Sequence, residues 1–265
     1  MALLVRTWNV FHGNAEPPER RTFLEQMVRL ASADEPDVLL LQEVPVWALR
    51  RLPRWSGMQS FGAVAARPKL GSAELGGAVT AVHRGFLRSA FTGQANAILL
   101  GARLRPVTSD SIYLNPLRFR REWSRRLGLD LPARLRWSRE RRVCQVVRAT
   151  SGERSLVVAN LHVSSVADIR IRDAELHRAA VFVDRFAEGG EAVVFGGDLN
   201  VRVGGSTMLG QLGGPEWGFS APIPGLDQIL VRGATAGRPE PWPEGRRRLD
   251  GRLLSDHAPV EVRVE

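Results

Sequence analysis

Val193-Val194-Phe195-Gly196-Gly197-Asp198-Leu199-Asn200 decides how this chain is read. An apolar run rich in β-branched residues ends in two glycines, then an Asp and an Asn two residues apart. The run reads as a buried strand that delivers two polar side chains to its carboxyl end, the place where layered α/β proteins bind ligands. The glycines allow another group to approach the backbone closely. An Asp before a Leu-Asn pair is also a common turn former, so the stretch gains its weight from similar strand ends elsewhere.

Five more polar strand ends follow from the hydrophobic pattern. Residues 3–10 read as a strand ending at Asn9, and residues 38–41 as a buried strand ending in Gln42-Glu43, with a short helix from Pro45. Residues 143–150 and 156–162 read as a hairpin around Ser151-Gly152-Glu153, closing on His162 with Asn160 beside it. Residues 228–231 follow Asp227, and residues 258–264 follow Asp256-His257. Strands are also expected at 77–83 and 97–100, and helices at 20–33 and 168–187, the second capped by Asp168. Many strands with two long helices do not make a doubly wound sheet. They suit an α/β sandwich with sheets packed on each other and helices outside.

The 265 residues, 44% hydrophobic, are read as one domain over 1–265. The apolar runs are far too short to span a membrane, and residues 1–6 look like the first strand rather than a signal peptide. Cys144 is the only cysteine, which excludes an internal disulfide and suggests a cytoplasmic, monomeric protein with Cys144 as an inert core thiol. The net charge of +9 is uneven. Residues 103–148 carry 13 Arg and 4 acidic residues, net +9, while the rest carries 24 basic and 24 acidic residues, net zero. Such a local field favours a polyanion such as nucleic acid, or an anionic membrane surface. Within it, residues 103–142 read as an Arg-rich insertion. Phe119, Trp123 and Leu127 form a helical stripe that packs onto the sandwich on the structural reading; on the functional one Trp137 or Phe119 offers a ring for base stacking, and Arg118 and Arg121 are candidate phosphate contacts.

The strand-end residues are carboxylates, amides and histidines. Carboxylate and amide oxygens suit Mg2+ or Mn2+, histidine supplies acid–base capacity near neutrality, and no serine, cysteine or lysine stands out as a nucleophile. Together they suit metal-assisted hydrolysis by water. The structural alternatives are strand-end surface charge for Glu43, a satisfied sheet histidine for His162 and a strand cap for Asp256-His257.

Six stretches resemble, in order, the endonuclease/exonuclease/phosphatase superfamily, which includes pancreatic-type deoxyribonucleases and exonuclease III-like enzymes. They are Thr7-Trp8-Asn9-Val10, Leu41-Gln42-Glu43, Asn160-Leu161-His162, Gly197-Asp198-Leu199-Asn200, Leu226-Asp227-Gln228 and Ser255-Asp256-His257-Ala258-Pro259. The resemblance implies a four-layer sandwich of two packed mixed β-sheets flanked by helices, and a phosphoric ester hydrolase with Mg2+ or Mn2+. It implies that Glu43 holds the metal with Asn9 and Asp256 in support, that His257 orients or deprotonates the attacking water, and that Asp227 fixes His257. His162, Asn160 and Asn200 would contact phosphate oxygens, with His162 also a candidate proton donor to the leaving oxygen. Asp198 would bind metal or act as acid or base, and His12 could line the site.

Several features depart from individual branches. Phe11 and Val44-Pro45 stand where abasic-site nucleases usually carry an Asp or Asn and a Lys. Secreted deoxyribonucleases have disulfides and a carboxylate partner for the first histidine, for which Glu74 is the nearest candidate. The Trp-Cys-Asp-Arg signature of inositol phosphatases is missing. The expected function is therefore a metal-dependent nuclease acting on DNA or RNA, with a hydrolase of a small or lipid phosphate ester as the alternative and a non-catalytic nucleic-acid-binding module as the third reading.

Overall fold

A computed structural model describes residues 2–17, 21–68 and 92–265. In chain order its strands are β1 (Leu3–Asn9), β2 (Ala15–Glu16), β3 (Val38–Val44), β4 (Gln59–Ala66), β5 (Gln94–Leu100), β6 (Arg105–Tyr113), β7 (Val143–Ser151), β8 (Arg154–His162), β9 (Ala192–Asp198), β10 (Asp227–Arg232), β11 (Glu240–Pro241), β12 (Arg248–Leu249), β13 (Arg252–Leu254) and β14 (Val260–Val264). The helices are α1 (Leu24–Ser32), α2 (Leu52–Ser56), α3 (Leu117–Arg126), α4 (Leu131–Ser138), α5 (Ile169–Phe186) and α6 (Thr207–Leu212).

Two mixed sheets form the centre. One runs β11-β14-β1-β3-β5-β4 and the other β10-β9-β8-β7-β6. Each has a single parallel pair, β1 with β3 and β8 with β9. Their facing sides share one apolar layer that includes Val5, Leu40, Ile98, Val147, Val158 and Val194. The outer face of the first sheet packs on α1 and α2 through Trp8, Met27, Leu41 and Leu52. The outer face of the second packs on α5 and α6 through Val157, Leu176, Phe195 and Leu209. The four expected layers are thus present, with a small third sheet β12-β13-β2 in addition.

Most elements lie where the pattern placed them. Asp168 caps α5 by accepting the Arg170 N–H, and burial pushes the Cys144 thiol far up. The strand expected at 77–83 lies outside the described residues. Residues 103–142 differ from the reading as a continuous arm. Arg105–Tyr113 is the edge strand of the second sheet, paired with β7, and the Arg-rich helices α3 and α4 follow it. Its exposed arginine, serine and threonine side chains hid its alternation, because an edge strand facing solvent has few apolar positions to show.

Gly197 explains one feature of the opening stretch. It sits at φ +136, and a Cβ there would lie 2.0 Å from the Leu161 carbonyl oxygen. The close approach is by the neighbouring strand, not by a ligand. It lets β9 turn so that Asp198 emerges beside His162.

Between the sheets, close to their functional ends, the apolar layer is interrupted by buried amides, Asn160 and Gln42 among them. Asn160 is fully buried. It donates to the carbonyls of Leu41 at 3.0 Å and Ala97 at 2.9 Å, and its oxygen accepts from Gln42 at 2.8 Å. Asn160 is therefore a tie between the sheets, with no surface left for the substrate contact expected of it. Asn160→Ala strands its buried partners on β3 and β5, so urea unfolding should show a loss of about 2 kcal/mol or more. A change within about 0.5 kcal/mol, as for an ordinary surface site, would contradict this role.

Candidate active site

Strand register builds the first row of the site. His162 pairs with Asp198 in the parallel β8–β9 ladder, and Asp198 pairs with Asp227 in the antiparallel β9–β10 ladder. Residues opposite one another across a ladder project to the same face, so all three side chains emerge together. The first sheet brings Asn9 and Glu43 from the ends of β1 and β3. The loop before β14 brings His257. That loop is held by Ser255, whose hydroxyl donates to the Asn9 carbonyl at 2.7 Å and accepts the His257 N–H at 3.1 Å. Arg247 clasps it further, donating to the carbonyls of Leu254, Ser255 and His257.

The side chains form one continuous chain of contacts. His257 Nδ1 lies 2.7 Å from Asp227 Oδ2, and His257 Nε2 lies 3.9 Å from Asp198 Oδ2. The same Asp198 oxygen is 3.4 Å from His162 Nε2 and accepts from Asn9 Nδ2 at 3.0 Å. Asp198 Oδ1 accepts the Asn200 N–H at 3.0 Å. His162 Nε2 stands 3.9 Å from Glu43 Oε1, and His12 Nε2 stands 3.5 Å from Glu43 Oε2. Asp256 is exposed beside this row, close enough for its charge to act on Glu43 and His257. Of the seven non-glycine residues with positive φ among the described residues, Phe11, His12, Glu43, Asn200 and Ser255 lie in or beside this cluster. Backbone held in such conformations concentrates at functional sites.

Several expected contacts are redistributed. Asn9 turns its amide nitrogen to Asp198 and its oxygen to the Phe11 N–H, so it orients Asp198 instead of offering its oxygen to a metal. Asn200 donates to the Val163 carbonyl and keeps one amide hydrogen for other partners. Arg118 and Arg121 lie exposed on α3. Trp137 and Phe119 are buried with Ile171 and Ala174, and the Trp137 indole donates to Glu175 at 2.6 Å. Neither ring is available for base stacking. Glu74 lies outside the described residues.

The partners that His162 does have were not foreseen. Arg142 Nη1 and Gln94 Nε2 each lie 3.1 Å from His162 Nδ1. A guanidinium can only donate, so Nδ1 accepts and the ring proton sits on Nε2, facing the cleft. Burial, then the charges of Arg142, His257 and His12, push the His162 pKa well below its ordinary value. His162 is a neutral hydrogen-bond donor to the cleft. The hairpin register around residues 151–154 places residue 143 opposite 162, so Arg142 was within reach of sequence reasoning but was absorbed into the basic segment.

Three other groups are displaced from their ordinary pKa values. Burial and the charges of Asp198 and Asp256 raise Glu43 to about 7 against the pull of Arg142. Burial and the Asp227 charge raise Asp198 to about 6. Burial opposes protonation of His257, but its bond to Asp227 and the charges of Asp227, Asp198 and Asp256 prevail and lift it to about 10.

Two donor groupings could hold a hard cation. Asp198, Asp227 and His257 present ligand atoms within 4.8 Å of one another, but the Asp227–His257 bond already uses one carboxylate oxygen and the imidazole proton. Asp227 Oδ1 is buried without a hydrogen-bond partner. Glu43 has both oxygens turned to the cleft, with the histidine nitrogens 3.5 and 3.9 Å away. Its oxygen donor and the adjacent exposed Asp256 fit a small divalent cation.

Comparison with known proteins bears on the family and the fold. The model of the endonuclease/exonuclease/phosphatase family matches residues 7–257. The chain belongs to that family. Members of the endonuclease/exonuclease/phosphatase family are generally phosphoric ester hydrolases, typically dependent on a divalent metal ion. No curated protein matches the chain by sequence. Among solved structures, the family protein from Bacteroides vulgatus has a TM-score of 0.69 at 14% identity, covering 100% of this chain and 99% of that one. The family protein from Beutenbergia cavernae has a TM-score of 0.68 at 16% identity, covering 100% of this chain and 71% of that one. Humanized D. rerio TDP2 has a TM-score of 0.65 at 17% identity, covering 100% and 99%. At these identities the likeness shows the fold.

The Arg142–His162 contact yields a spectroscopic expectation. In 15N NMR of the neutral protein, His162 should show a protonated Nε2 and a bare Nδ1, and Arg142→Met should mix the two tautomers. A wild-type His162 with its proton on Nδ1 would contradict the assignment.

Proposed function

We propose that this protein is a divalent-metal-dependent phosphodiesterase, a nuclease that hydrolyses DNA or RNA with water as nucleophile. The observation that carries the reading is the unbroken chain Glu43–His162–Asp198–His257–Asp227, with steps of 2.7 to 3.9 Å, at the ends of two facing sheets. A structural polar network would have its carboxylates satisfied by cations or backbone donors. Here Glu43 faces the cleft and two histidines carry opposite protonation preferences. That separation of environments assigns acid–base roles.

Glu43, supported by Asp256, would hold Mg2+ or Mn2+, which supplies charge neutralisation at the phosphoryl group and a lowered pKa for bound water. Asp198, ionised above about pH 6, is placed to accept the proton of the attacking water. This moves the base from His257, the residue first expected to fill that role. His257 keeps its proton to about 10 and so acts as a cation against the developing phosphoryl charge, held in place by Asp227. His162, neutral and donating from Nε2, hydrogen-bonds a phosphoryl oxygen. It does not protonate the leaving group, because its remaining ring nitrogen already accepts from Arg142. Asn200 keeps one amide hydrogen for the same oxygens. The choice of nucleic acid rests on the net +9 of residues 103–148. Hydrolysis of a small or lipid phosphate ester on the same site is the alternative, and the site's equipment argues against a purely non-catalytic binding module.

Activity on plasmid, single-stranded DNA, RNA and a small phosphodiester dye should require Mg2+ or Mn2+ and vanish with chelator. The kcat/KM should rise with pH through about 6, as Asp198 loses its proton, and fall as His257 loses its own near 10. Asp198→Asn should cost roughly two to four decades in rate. Full activity in that variant would overturn the assignment of the base.

A further inference from the structure

The active site leaves the arginines of α3 and α4 without a role. Arg120, Arg121, Arg125 and Arg134 line one hollow of about 370 Å³, together with Leu117 and Ser124. Among the described residues no carboxylate lines it, and none of the four arginines is in an ion pair. Three of them are braced by backbone carbonyls. Arg120 Nε donates to Asn115 at 3.1 Å, Arg125 Nε to Arg121 at 3.4 Å and Arg134 Nε to Leu129 at 2.8 Å. Each guanidinium is thus oriented with its terminal nitrogens left for a ligand. Burial and the nearby Arg141 charge push Arg120 below its ordinary pKa against the opposing pull of Glu175.

The hollow is wired to the catalytic centre. Asn115 accepts from Arg120 through its carbonyl and from the Arg142 N–H through Oδ1 at 3.0 Å, and Arg142 touches His162. Asn115 Nδ2 in turn donates to the Glu140 carbonyl at 2.8 Å, which closes the base of the helical pair. Arg121 and Arg125 stand one helical turn apart, about 6 Å of rise, a spacing suited to successive phosphates of one strand.

We propose that this hollow is a second anion site, a clamp for the phosphate backbone of a nucleic-acid strand whose scissile phosphate lies at Asp198 and His257. The proposal rests on the nuclease reading and adds the strand's path to it. The clamp reads charge, not bases, since the rings of Phe119 and Trp137 are buried. Guanidinium contacts to phosphate give affinity without sequence preference. Binding to a bilayer is the competing arrangement, because Leu117, Leu131 and Leu135 are 54%, 66% and 54% exposed on the same helices and exposed leucines among arginines also suit an anionic lipid surface. A concave hollow lined by four arginines and, among the described residues, by no carboxylate favours the narrow phosphate backbone of a strand over a flat surface.

The test is equilibrium binding of a fluorescent single-stranded oligonucleotide of about 30 nucleotides, by anisotropy in a salt series without added metal. The double variant Arg125→Gln/Arg134→Gln should bind at least tenfold more weakly, and the slope of log affinity against log salt should become shallower by about 1.4, near 0.7 for each lost phosphate contact on a single strand. Arg125→Lys/Arg134→Lys should retain most of the slope, which separates lost charge from a disturbed helix. Unchanged affinity and slope in the glutamine variant would overturn the clamp. So would wild-type binding to phosphatidylserine vesicles that is lost in Leu131→Ser/Leu135→Ser, if oligonucleotide binding is untouched by the arginine changes. Because binding is read without turnover, a protein that grips the strand but cleaves no polynucleotide refutes the nuclease reading and leaves the clamp standing.

Discussion

Asp198 is a carboxylate kept almost wholly out of water, with 1% of its surface exposed. Burying such a charge is unfavourable unless donors and cations surround it, and much of the site can be understood as that surround. Asn9, the Asn200 amide, His162 and His257 all approach it, from the first sheet, from its own strand end, from β8 and from the loop before β14. Each approach depends on a different part of the fold, so the surround of the carboxylate is complete only when the two sheets meet. Even so, the surround does not fully offset burial, and Asp198 holds its proton to about 6. The residual imbalance is what makes it useful as a base near neutrality.

The two histidines show how one cleft creates opposite behaviour from one side-chain type. His257 has carboxylates on two sides and stays cationic. His162 has Arg142 behind it and stays neutral. A phosphoryl group entering between them would meet a fixed positive charge from one and a directed N–H from the other. Neither needs to reorganise at the moment of reaction, which is the condition under which preformed dipoles stabilise a transition state most effectively.

Much of this was legible in the sequence, for identifiable reasons. Buried parallel strands produce continuous apolar runs, and polar residues at their ends stand out against them. Hence Asn9, Glu43, His162, Asp198, Asp227 and His257 were readable as strand ends, and the four-layer architecture followed from the rhythm of elements. What failed to show had weaker local signals. β6 is an edge strand with a solvated face, so its alternation disappears among arginines and serines. Asn160 is next to a strand end and polar, which made it look like a contact for substrate, although its carbonyl partners on β3 and β5 exist only once the sheets pack. Trp137 sits in an Arg-rich run, and only the position of Glu175 on α5 shows that its indole is sequestered. Arg142 looked like one more basic residue because its role depends on the hairpin register and not on its neighbours in sequence.

In the proposed mechanism Glu43 is the carboxylate that a cation takes, because Asp227 is already engaged by His257. The most direct measurement is anomalous diffraction from crystals soaked in Mn2+. It should show one strong peak within coordination distance of the Glu43 carboxylate, and that peak should disappear in Glu43→Gln. A peak centred on Asp198, Asp227 and His257 with none at Glu43, or a Glu43→Gln crystal that binds Mn2+ unchanged, would contradict it.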